Sequence, residues 1–284
     1  MMYWNIQSFI YELYTSIFLL PQLIKGKEHR LPGQLIISLT SYPPRFPKLH
    51  LTIKTLLSQS IKPDMIILWV SFDDKNLVPQ QVKSYTEKFP HFEIRYYANI
   101  KSYKKIIPTL VNFPKAFIVT ADDDIFFSKN WLQALCERWT GNYREIVAHR
   151  VHQIKFNQDG TLAPYASWTQ NSAENTAGHL LFATSGAGVL YPPQALHANV
   201  TDEKVFTALC PTADDLWLFW MGTLNQCIIT PISKKFNLVA WQGTSDNGLA
   251  LENVANNGND LQISNLQQHY GRIEDILNRV SKCL

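Results

Sequence analysis

The chain has 284 residues, of which 46% are apolar, 12% are aromatic and 17% are charged. This apolar content excludes an intrinsically disordered protein, because such chains lack the hydrophobic area that offsets the entropy cost of folding. The formal net charge is +3 and no long basic run is present, so we expect no nucleic-acid partner.

Residues 1–30 are predicted to form a helical extension ahead of a single domain at 31–284. One apolar face at helical spacing would consist of Trp4, Phe9, Leu13, Ile17 and Leu20. We favour the interpretation that this face packs on the chain's own domain. The alternative is a peripheral helix lying on a membrane, with Lys25, Lys27 and Arg30 near the lipid head groups.

Between residues 34 and 125, short apolar runs alternate with helix-like segments. The strand-like runs are GQLIISLT, MIILWVS, FEIRYY and KAFIVTA. Strands separated by helices form right-handed crossovers, which give a parallel sheet with helices on both faces. We therefore predict an α/β fold in which 31–125 form a nucleotide-binding half, with ligands beyond the carboxyl ends of the strands.

Residues 126–284 are predicted to form the acceptor-binding half and the C-terminal helices. The segments EIVAHRVHQIKF, LLFATSGAGVLYPP and CIITPI are strand-like, and ADDLWLFWMGTLN and RIEDILNRVSKCL are helix-like. The Asn- and Gly-rich stretch near 244–260 is predicted to be a mobile loop that closes over the donor. The four cysteines form no CxxC pair, which is typical of small core residues in a reducing, cytoplasmic protein.

Asp122, Asp123 and Asp124 directly follow the run KAFIVTA, at the edge where a parallel sheet binds ligands. Three adjacent carboxylates repel each other and are costly to bury unpaired. They suit a hard cation such as Mg²⁺ or Mn²⁺ shared with substrate phosphates, and we favour this over a helix cap with solvated neighbours.

Five segments then occur in a recognisable order: LIISLTSYPPR, PDMIILWVS, TADDDIFF, TSGAGVLYPP and PTADDLW. Over roughly 35–232 this set resembles bacterial glycosyltransferases of the GT-A fold, broadly family-2-like. The resemblance implies a Rossmann-like, mixed and mostly parallel sheet flanked by helices. It also implies a hexosyltransferase that uses a UDP-linked or other nucleotide-sugar donor and Mn²⁺ or Mg²⁺, with a glycan or glycolipid acceptor.

The resemblance implies donor-side roles for Thr40, Ser41, Tyr42, Arg45, Lys104, Lys105, Asp122 and Asp123. The first three would line the base and ribose, Arg45 would approach the diphosphate, and one of the two lysines would help to position the donor. Asp124 would be the principal metal ligand, with Asp122 near the ribose and the metal. His269 and Asp246 are competing candidates for a further ligand, and we assign neither.

On the acceptor side, the resemblance implies that Asp215 deprotonates the acceptor hydroxyl in an inverting transfer while Asp214 binds the acceptor. Both could instead be ordinary first-turn carboxylates that complement the helix dipole. Gly186 and Gly188 suit either close approach to a ligand or a bulge between strands. Aromatic rings stack on sugars, which makes Tyr165, Trp168 and Trp241 acceptor-site candidates.

The resemblance places the enzyme in lipopolysaccharide or capsule assembly at the cytoplasmic membrane face. Two other functions stay open. A phosphatase with an aspartate nucleophile also has a DxD sequence after a strand, but usually on its first strand. A sugar- or nucleotide-binding scaffold without turnover would not need the two acidic clusters.

Overall fold

The computed structural model describes residues 2–19, 26–232, 235–244 and 258–281. The chain divides into two compact units: the first comprises Met1–Glu137 and Asn237–Gly248, and the second comprises Arg138–Phe236 and Leu249–Leu284. This division differs from the predicted halves at 125/126, because a later segment returns to pack with the first unit.

The first unit is an α/β layer structure. Its elements are α1 (Met2–Ile17), β1 (Lys27–Glu28), β2 (Leu35–Thr40), α2 (Phe46–Leu56), β3 (Ile61–Lys62), β4 (Met65–Ser71), α3 (Gln80–Lys88), β5 (Phe92–Tyr97), α4 (Ile107–Asn112), β6 (Phe117–Ala121) and α5 (Trp131–Arg138). Four strands pair in parallel in the order β6-β2-β4-β5. The three continuously apolar strands β2, β4 and β6 are almost fully buried, as expected for strands covered on both faces.

The orientation of helix α1 differs from our prediction that its apolar face packs on the domain. Phe9, Leu13 and Ile17 are 56%, 46% and 59% exposed, so this part of the predicted apolar face does not pack on the domain. The side chains of Trp4 and Leu20 lie outside the described part of the chain. Ser8 and Thr15, on the opposite side, are buried. The periodicity correctly indicated a helix, but its contacts come from the other side, where Ser8 and Glu12 form hydrogen bonds and the Tyr11 ring lies 4.3 Å from that of Phe126.

The second unit contains the remaining elements. They are β7 (Glu145–Ala148), β8 (Val151–Gln153), β9 (Leu181–Ala183), β10 (Val189–Tyr191), α6 (Glu203–Leu209), α7 (Asp214–Leu224), β11 (Ile228–Pro231), α8 (Gly258–Tyr270) and α9 (Ile273–Ser281). Strand β7 pairs in parallel with β11 and antiparallel with β10, and β8 pairs with β9. Two segments expected to be single strands are therefore each divided into two.

The predicted fold class is confirmed: the structure is a mixed α/β fold whose sheet strands are mostly parallel and flanked by helices. Cys210 and Cys227 are buried and Cys136 is half-buried, consistent with cysteines that serve as small core residues. Burial raises the pKa of the Cys136 and Cys227 thiols to about 12, so both thiols are unreactive at neutral pH. Among the described helices, none has the length and apolar character needed to cross a bilayer.

Candidate functional site

The sheet of the first unit brings the predicted donor residues together at the carboxyl ends of β2 and β6. These strands are parallel neighbours, with Leu39 paired to Ala121. The residues that follow each strand therefore meet at one edge of the sheet. Here the Ser41 hydroxyl, just after β2, donates a hydrogen bond to the Asp123 carboxylate, just after β6.

Two cations from other segments complete this acidic cluster, which consists of Asp122, Asp123 and Asp124. The Arg45 guanidinium, from the short 3₁₀ turn after β2, contacts Asp124 and lies 3.6 Å from an oxygen of Asp123. The Lys105 ammonium donates to Asp122 Oδ1 at 3.0 Å. Each of the three carboxylates therefore lies close to a positive charge.

Burial and mutual repulsion govern the electrostatics of this cluster. Burial, followed by the neighbouring charge of Asp124, raises the pKa of Asp123 to about 7. The pKa of Asp124 is raised by burial and by the charge of Asp122, although Arg45 opposes this shift. Burial alone would lower the pKa of Arg45, but the two carboxylates outweigh it and raise the pKa. Burial thus favours the protonated form of Asp123 and Asp124, and the cations beside them oppose that effect.

The backbone of the cluster is fixed by residues that sequence analysis did not identify as its supports. The Thr52 hydroxyl, on α2, donates to the carbonyl of Asp123 at 2.9 Å. Thr52 in turn accepts a hydrogen bond of 2.7 Å from Trp241 Nε1, and the Trp241 amide donates to the Asp124 carbonyl at 2.9 Å. No sequence signal marks Thr52, because it lies within the amphipathic pattern of a helix.

Trp241 is therefore a positioning residue, which corrects our prediction that it stacks on an acceptor sugar. Its side chain is only 1% exposed, and a buried ring cannot offer a face to a ligand. The other donor-side predictions have different outcomes. Tyr42 is half-buried and hydrogen-bonds the Arg45 side chain, whereas the Thr40 hydroxyl donates to the carbonyl of Trp69 at 2.9 Å.

The structure distinguishes the two candidate lysines. Both Lys104 and Lys105 are buried, but only the Lys105 ammonium contacts the acidic cluster. The Lys104 ammonium donates to Asn99 Oδ1 at 3.1 Å and to the carbonyl of Lys101 at 3.0 Å, within its own segment. Burial lowers the pKa of Lys104. We therefore retain Lys105 as the candidate and set Lys104 aside.

The acidic cluster fits a divalent cation in donor type and in charge. Carboxylate oxygens are the ligands that Mg²⁺ and Mn²⁺ prefer, and the three carboxylates of the cluster are contacted by two cations, Arg45 and Lys105. Across the part of the chain that the structure describes, however, no group of three or more His, Cys, Asp or Glu side chains is arranged as a complete metal site. Asp124 and Asp122 could supply two ligands, with the remaining positions left to substrate and water.

The predicted further ligand stays unassigned. His269 is an exposed residue on α8, and its ring contacts the neighbouring ring of Tyr270. Asp246 lies outside the described residues, as does most of the loop that we expected to close over the donor.

The second unit brings together the predicted acidic pair and the predicted glycine turn. The Ser185 amide donates to Asp215 Oδ1 at 2.8 Å, and the Ser185 hydroxyl lies 3.2 Å from Asp214 Oδ2. Gly186 belongs to the same turn, and Gly188 ends it with a φ of 114°, a conformation that favours glycine. Sequence analysis did not identify Ser185, although this residue directly precedes Gly186, which was a candidate.

Asp214 and Asp215 open helix α7, as predicted. Asp214 is buried and Asp215 is half-buried, so Asp215 is the more accessible of the two carboxylates. Ala213 occupies the N-cap position of this helix, and the hydroxyl of the preceding Thr212 accepts a hydrogen bond of 3.0 Å from Gln262.

An aromatic group flanks this acidic pair. Tyr165 is half-buried, and both burial and the nearby charge of Asp215 raise the pKa of its phenol. Arg150, which sequence analysis missed, is half-buried and acts in the opposite direction on that pKa. Trp168 is only 3% exposed and donates from Nε1 to the carbonyl of Ala163, so it packs behind Tyr165. This corrects the prediction that Trp168 stacks on an acceptor.

Comparison with solved structures gives three similarities. The chain is similar to a crystal structure of GalNAc-T7 with UDP, GalNAc and Mn²⁺, at 8% identity and a TM-score of 0.45, covering 75% of this chain and 46% of that one. It is also similar to S. aureus TarS 1-349, at 15% identity and a TM-score of 0.49, covering 73% and 60%. The third is the inositol-1-phosphate CTP transferase from T. maritima, at 8% identity and a TM-score of 0.37, covering 73% and 85%.

The chain thus spans about half of the GalNAc-T7 structure and 60% of the TarS structure. No protein-family model and no curated protein matches the sequence. Similarity at this level leaves the function to be argued from the residues of this chain.

Proposed function

We propose that the protein is a glycosyltransferase that moves a sugar from a nucleoside-diphosphate sugar to a hydroxyl group of an acceptor. The observation that carries this proposal is the acidic cluster Asp122–Asp124 at the carboxyl edge of the first unit's sheet, with Arg45 and Lys105 against it. Ligands of open α/β sheets bind at this edge. Carboxylates next to buried cations suit a cation–diphosphate pair, because the carboxylates balance the charge of the metal cation and the buried cations balance the charge of the diphosphate.

In this proposal Asp124 and Asp122 hold Mn²⁺ or Mg²⁺. When bound, the cation would neutralise charge on the departing nucleoside diphosphate. Arg45 and Lys105 contribute fixed positive charge beside the same carboxylates, and Ser41 and Thr52 hold the Asp123 segment in place. Such preorganised charge stabilises a leaving group without reorganisation during the reaction.

On the acceptor side, Asp215 is the proposed general base. Its half-buried carboxylate can meet a substrate more readily than that of Asp214, and the Ser185 amide orients one of its oxygens. The acceptor oxygen would attack the anomeric carbon as Asp215 takes its proton. The bond to the diphosphate oxygen would break on the opposite face, which gives an inverting transfer.

The finer assignments extend the resemblance in sequence. We propose a UDP-linked hexose as donor and a glycan or glycolipid of bacterial lipopolysaccharide or capsule as acceptor, with transfer on the cytoplasmic side of the membrane. Each of these assignments can fail while the general proposal stands.

The direct test is a panel of UDP-, GDP-, CMP- and TDP-linked sugars incubated with the full chain and Mn²⁺ and assayed for release of nucleotide. We expect release from one nucleotide class, loss of that release in EDTA and its recovery with Mn²⁺ or Mg²⁺. Release of phosphate from simple phosphomonoesters, with an aspartyl-phosphate detected by mass spectrometry, would instead support the phosphatase. Nucleotide-sugar binding without turnover in the presence of acceptor glycans would support the scaffold.

A further inference from the structure

Helix α1 contacts the first unit through its polar side. The Ser8 hydroxyl donates to the carbonyl of Ala240 at 2.7 Å. Glu12 accepts hydrogen bonds from the Lys48 ammonium at 2.6 Å and from the Gln242 amide at 2.8 Å. These contacts hold the helix in one rotational setting about its own axis.

The opposite side of α1 is an apolar stripe with no covering layer among the described residues. The stripe consists of Ile6, Phe9, Ile10, Leu13, Tyr14, Ile17 and Phe18, all between 46% and 68% exposed. These positions recur at three- and four-residue intervals, so they form one continuous face of the helix. Scattered exposed apolar residues need no explanation, but a contiguous patch of this kind marks an interaction surface.

The charges around α1 suit an anionic partner. Glu12 is the single acidic residue between positions 2 and 19, and it is turned towards the domain and paired with Lys48. The ammonium of Lys54 lies at the C-terminal end of the helix, 2.7 Å from the carbonyl of Thr15. Further along the chain, Lys27 and Arg30 are exposed, and the exposed Glu28 between them lies 3.8 Å from the ammonium of Lys62. The stripe itself carries no acidic group, and basic groups outnumber acidic ones near it in space or in sequence.

These observations favour a lipid surface over a second copy of the chain. A stable protein–protein interface uses roughly 20–30 residues on each side, whereas the stripe offers seven on one helix. The ring of Tyr14 is of the type that prefers the boundary between head groups and acyl chains. Phe9, Leu13 and Phe18 are typical of the buried face of an interfacial helix. A bilayer also needs no matching shape, only an apolar face and favourable charge.

We propose that α1 lies in the interface of a membrane that contains anionic lipids, with the stripe turned into the acyl region and the polar side fixed to the enzyme. This is independent of sugar transfer, since it rests on a face remote in sequence from both acidic clusters. In the usual interfacial helix the polar side faces water, whereas here the polar side of α1 faces the first unit of the protein. The resulting attachment would be peripheral and reversible.

The experiment is co-sedimentation of the full chain with vesicles of phosphatidylcholine, alone or with about 30% phosphatidylglycerol, at low and high salt. We expect binding to the anionic vesicles and weaker binding at high salt. The double variant Phe9→Ser/Leu13→Ser should lower the partition coefficient at least about tenfold, because it removes two of the apolar side chains that would be buried in the acyl region.

The matched control is Phe72→Ser/Leu77→Ser, which changes two exposed apolar residues of the same unit, 62% and 59% exposed. It should bind vesicles as the unaltered protein does. Because all four side chains are exposed, every variant should fold, and thermal unfolding checks this. Absence of vesicle binding, equal loss in both variants, or self-association that depends on the stripe without vesicle binding would each overturn the proposal.

Discussion

The two acidic clusters are held in different ways. In the first unit, Arg45 and Lys105 bring positive charge directly to the carboxylates, and burial still raises the pKa of Asp123 to about 7. In the second unit, the amide and hydroxyl of Ser185 contact the carboxylates of Asp215 and Asp214. Cations beside carboxylates suit the binding of a cation–diphosphate pair. The contacts with Ser185 instead tie both carboxylates of the second cluster to one turn, at the start of helix α7. This difference agrees with our proposal of a donor role for the first cluster and an acceptor role for the second.

The largest effect is expected from Asp124→Asn, which removes one charge of the first cluster and keeps the shape of the side chain. We expect sugar transfer to fall by about a thousandfold, because the charge that balances the leaving group is lost. Turnover of the donor measured with Mn²⁺ checks this. The control Asp73→Asn changes an exposed carboxylate of the same unit and should retain full activity.

Asp215→Asn should affect a different step. Loss of the general base is expected to lower kcat about a hundredfold or more, while the affinity for the nucleotide stays unchanged. Asp214→Asn is expected to lower kcat less, because Asp214 is buried. Steady-state kinetics in donor and acceptor separate the two effects. A large change in nucleotide affinity in Asp215→Asn would mean that the clusters are not specialised as we describe.

His152, whose ring centroid lies 6.1 Å from that of Tyr165, should make the aromatic group beside Asp215 sensitive to acid. Burial, followed by the charge of Arg150, lowers the pKa of His152 to about 4, and the Asn171 amide donates to its Nδ1 at 3.0 Å. As the pH falls, the His152 imidazole therefore takes up a proton in the unfolded chain first, near pH 6.5. The stability that His152 provides is complete above about pH 6.5 and is lost as the pH falls towards 4, up to about 3 kcal/mol in total.

Denaturant unfolding of the wild type and His152→Asn at pH 7 and pH 4.5 measures this contribution. Asn can accept the same amide hydrogen bond but does not titrate. Between pH 7 and pH 4.5, the free energy of unfolding of the wild type should fall by about 2–3 kcal/mol more than that of His152→Asn. A difference that stays constant with pH would contradict the assignment.

The smallest expected effect comes from a pair of neighbouring lysines. Lys105→Met removes the cation that contacts Asp122 and should weaken the binding of UDP roughly tenfold. Lys104→Met removes an equally buried lysine whose ammonium bonds within its own segment, so UDP affinity should not change. Calorimetric titration of each variant decides this, with thermal unfolding as the check on folding. Equal losses would show that Lys105 acts through structure alone.

Much of the first unit could be predicted from its sequence. Strands β2, β4 and β6 are continuous apolar runs, and parallel neighbours necessarily bring their carboxyl ends together. The meeting of Ser41 with Asp123 follows from that rule. The pairing of Arg45 with Asp124 was harder to predict, because it depends on the direction of a 3₁₀ turn that sequence periodicity does not encode.

The burial of two tryptophans and the orientation of the first helix could not be predicted from the sequence. Trp168 and Trp241 stand in irregular segments, where exposure is the usual expectation, yet both rings are buried and donate hydrogen bonds. In α1 the apolar spacing reveals a face but not which face contacts the domain. The orientation of the helix depends on partners distant in sequence, such as Lys48, whose ammonium contacts Glu12.

We propose that the acidic cluster Asp122–Asp124 binds a divalent cation together with a nucleoside diphosphate. The decisive experiment is calorimetric titration of UDP into the full chain and into Asp124→Asn, each with and without Mn²⁺. We predict that UDP binding requires Mn²⁺ and is lost in the variant, which stays folded. UDP binding of equal strength in both proteins, or binding indifferent to Mn²⁺, would contradict the claim.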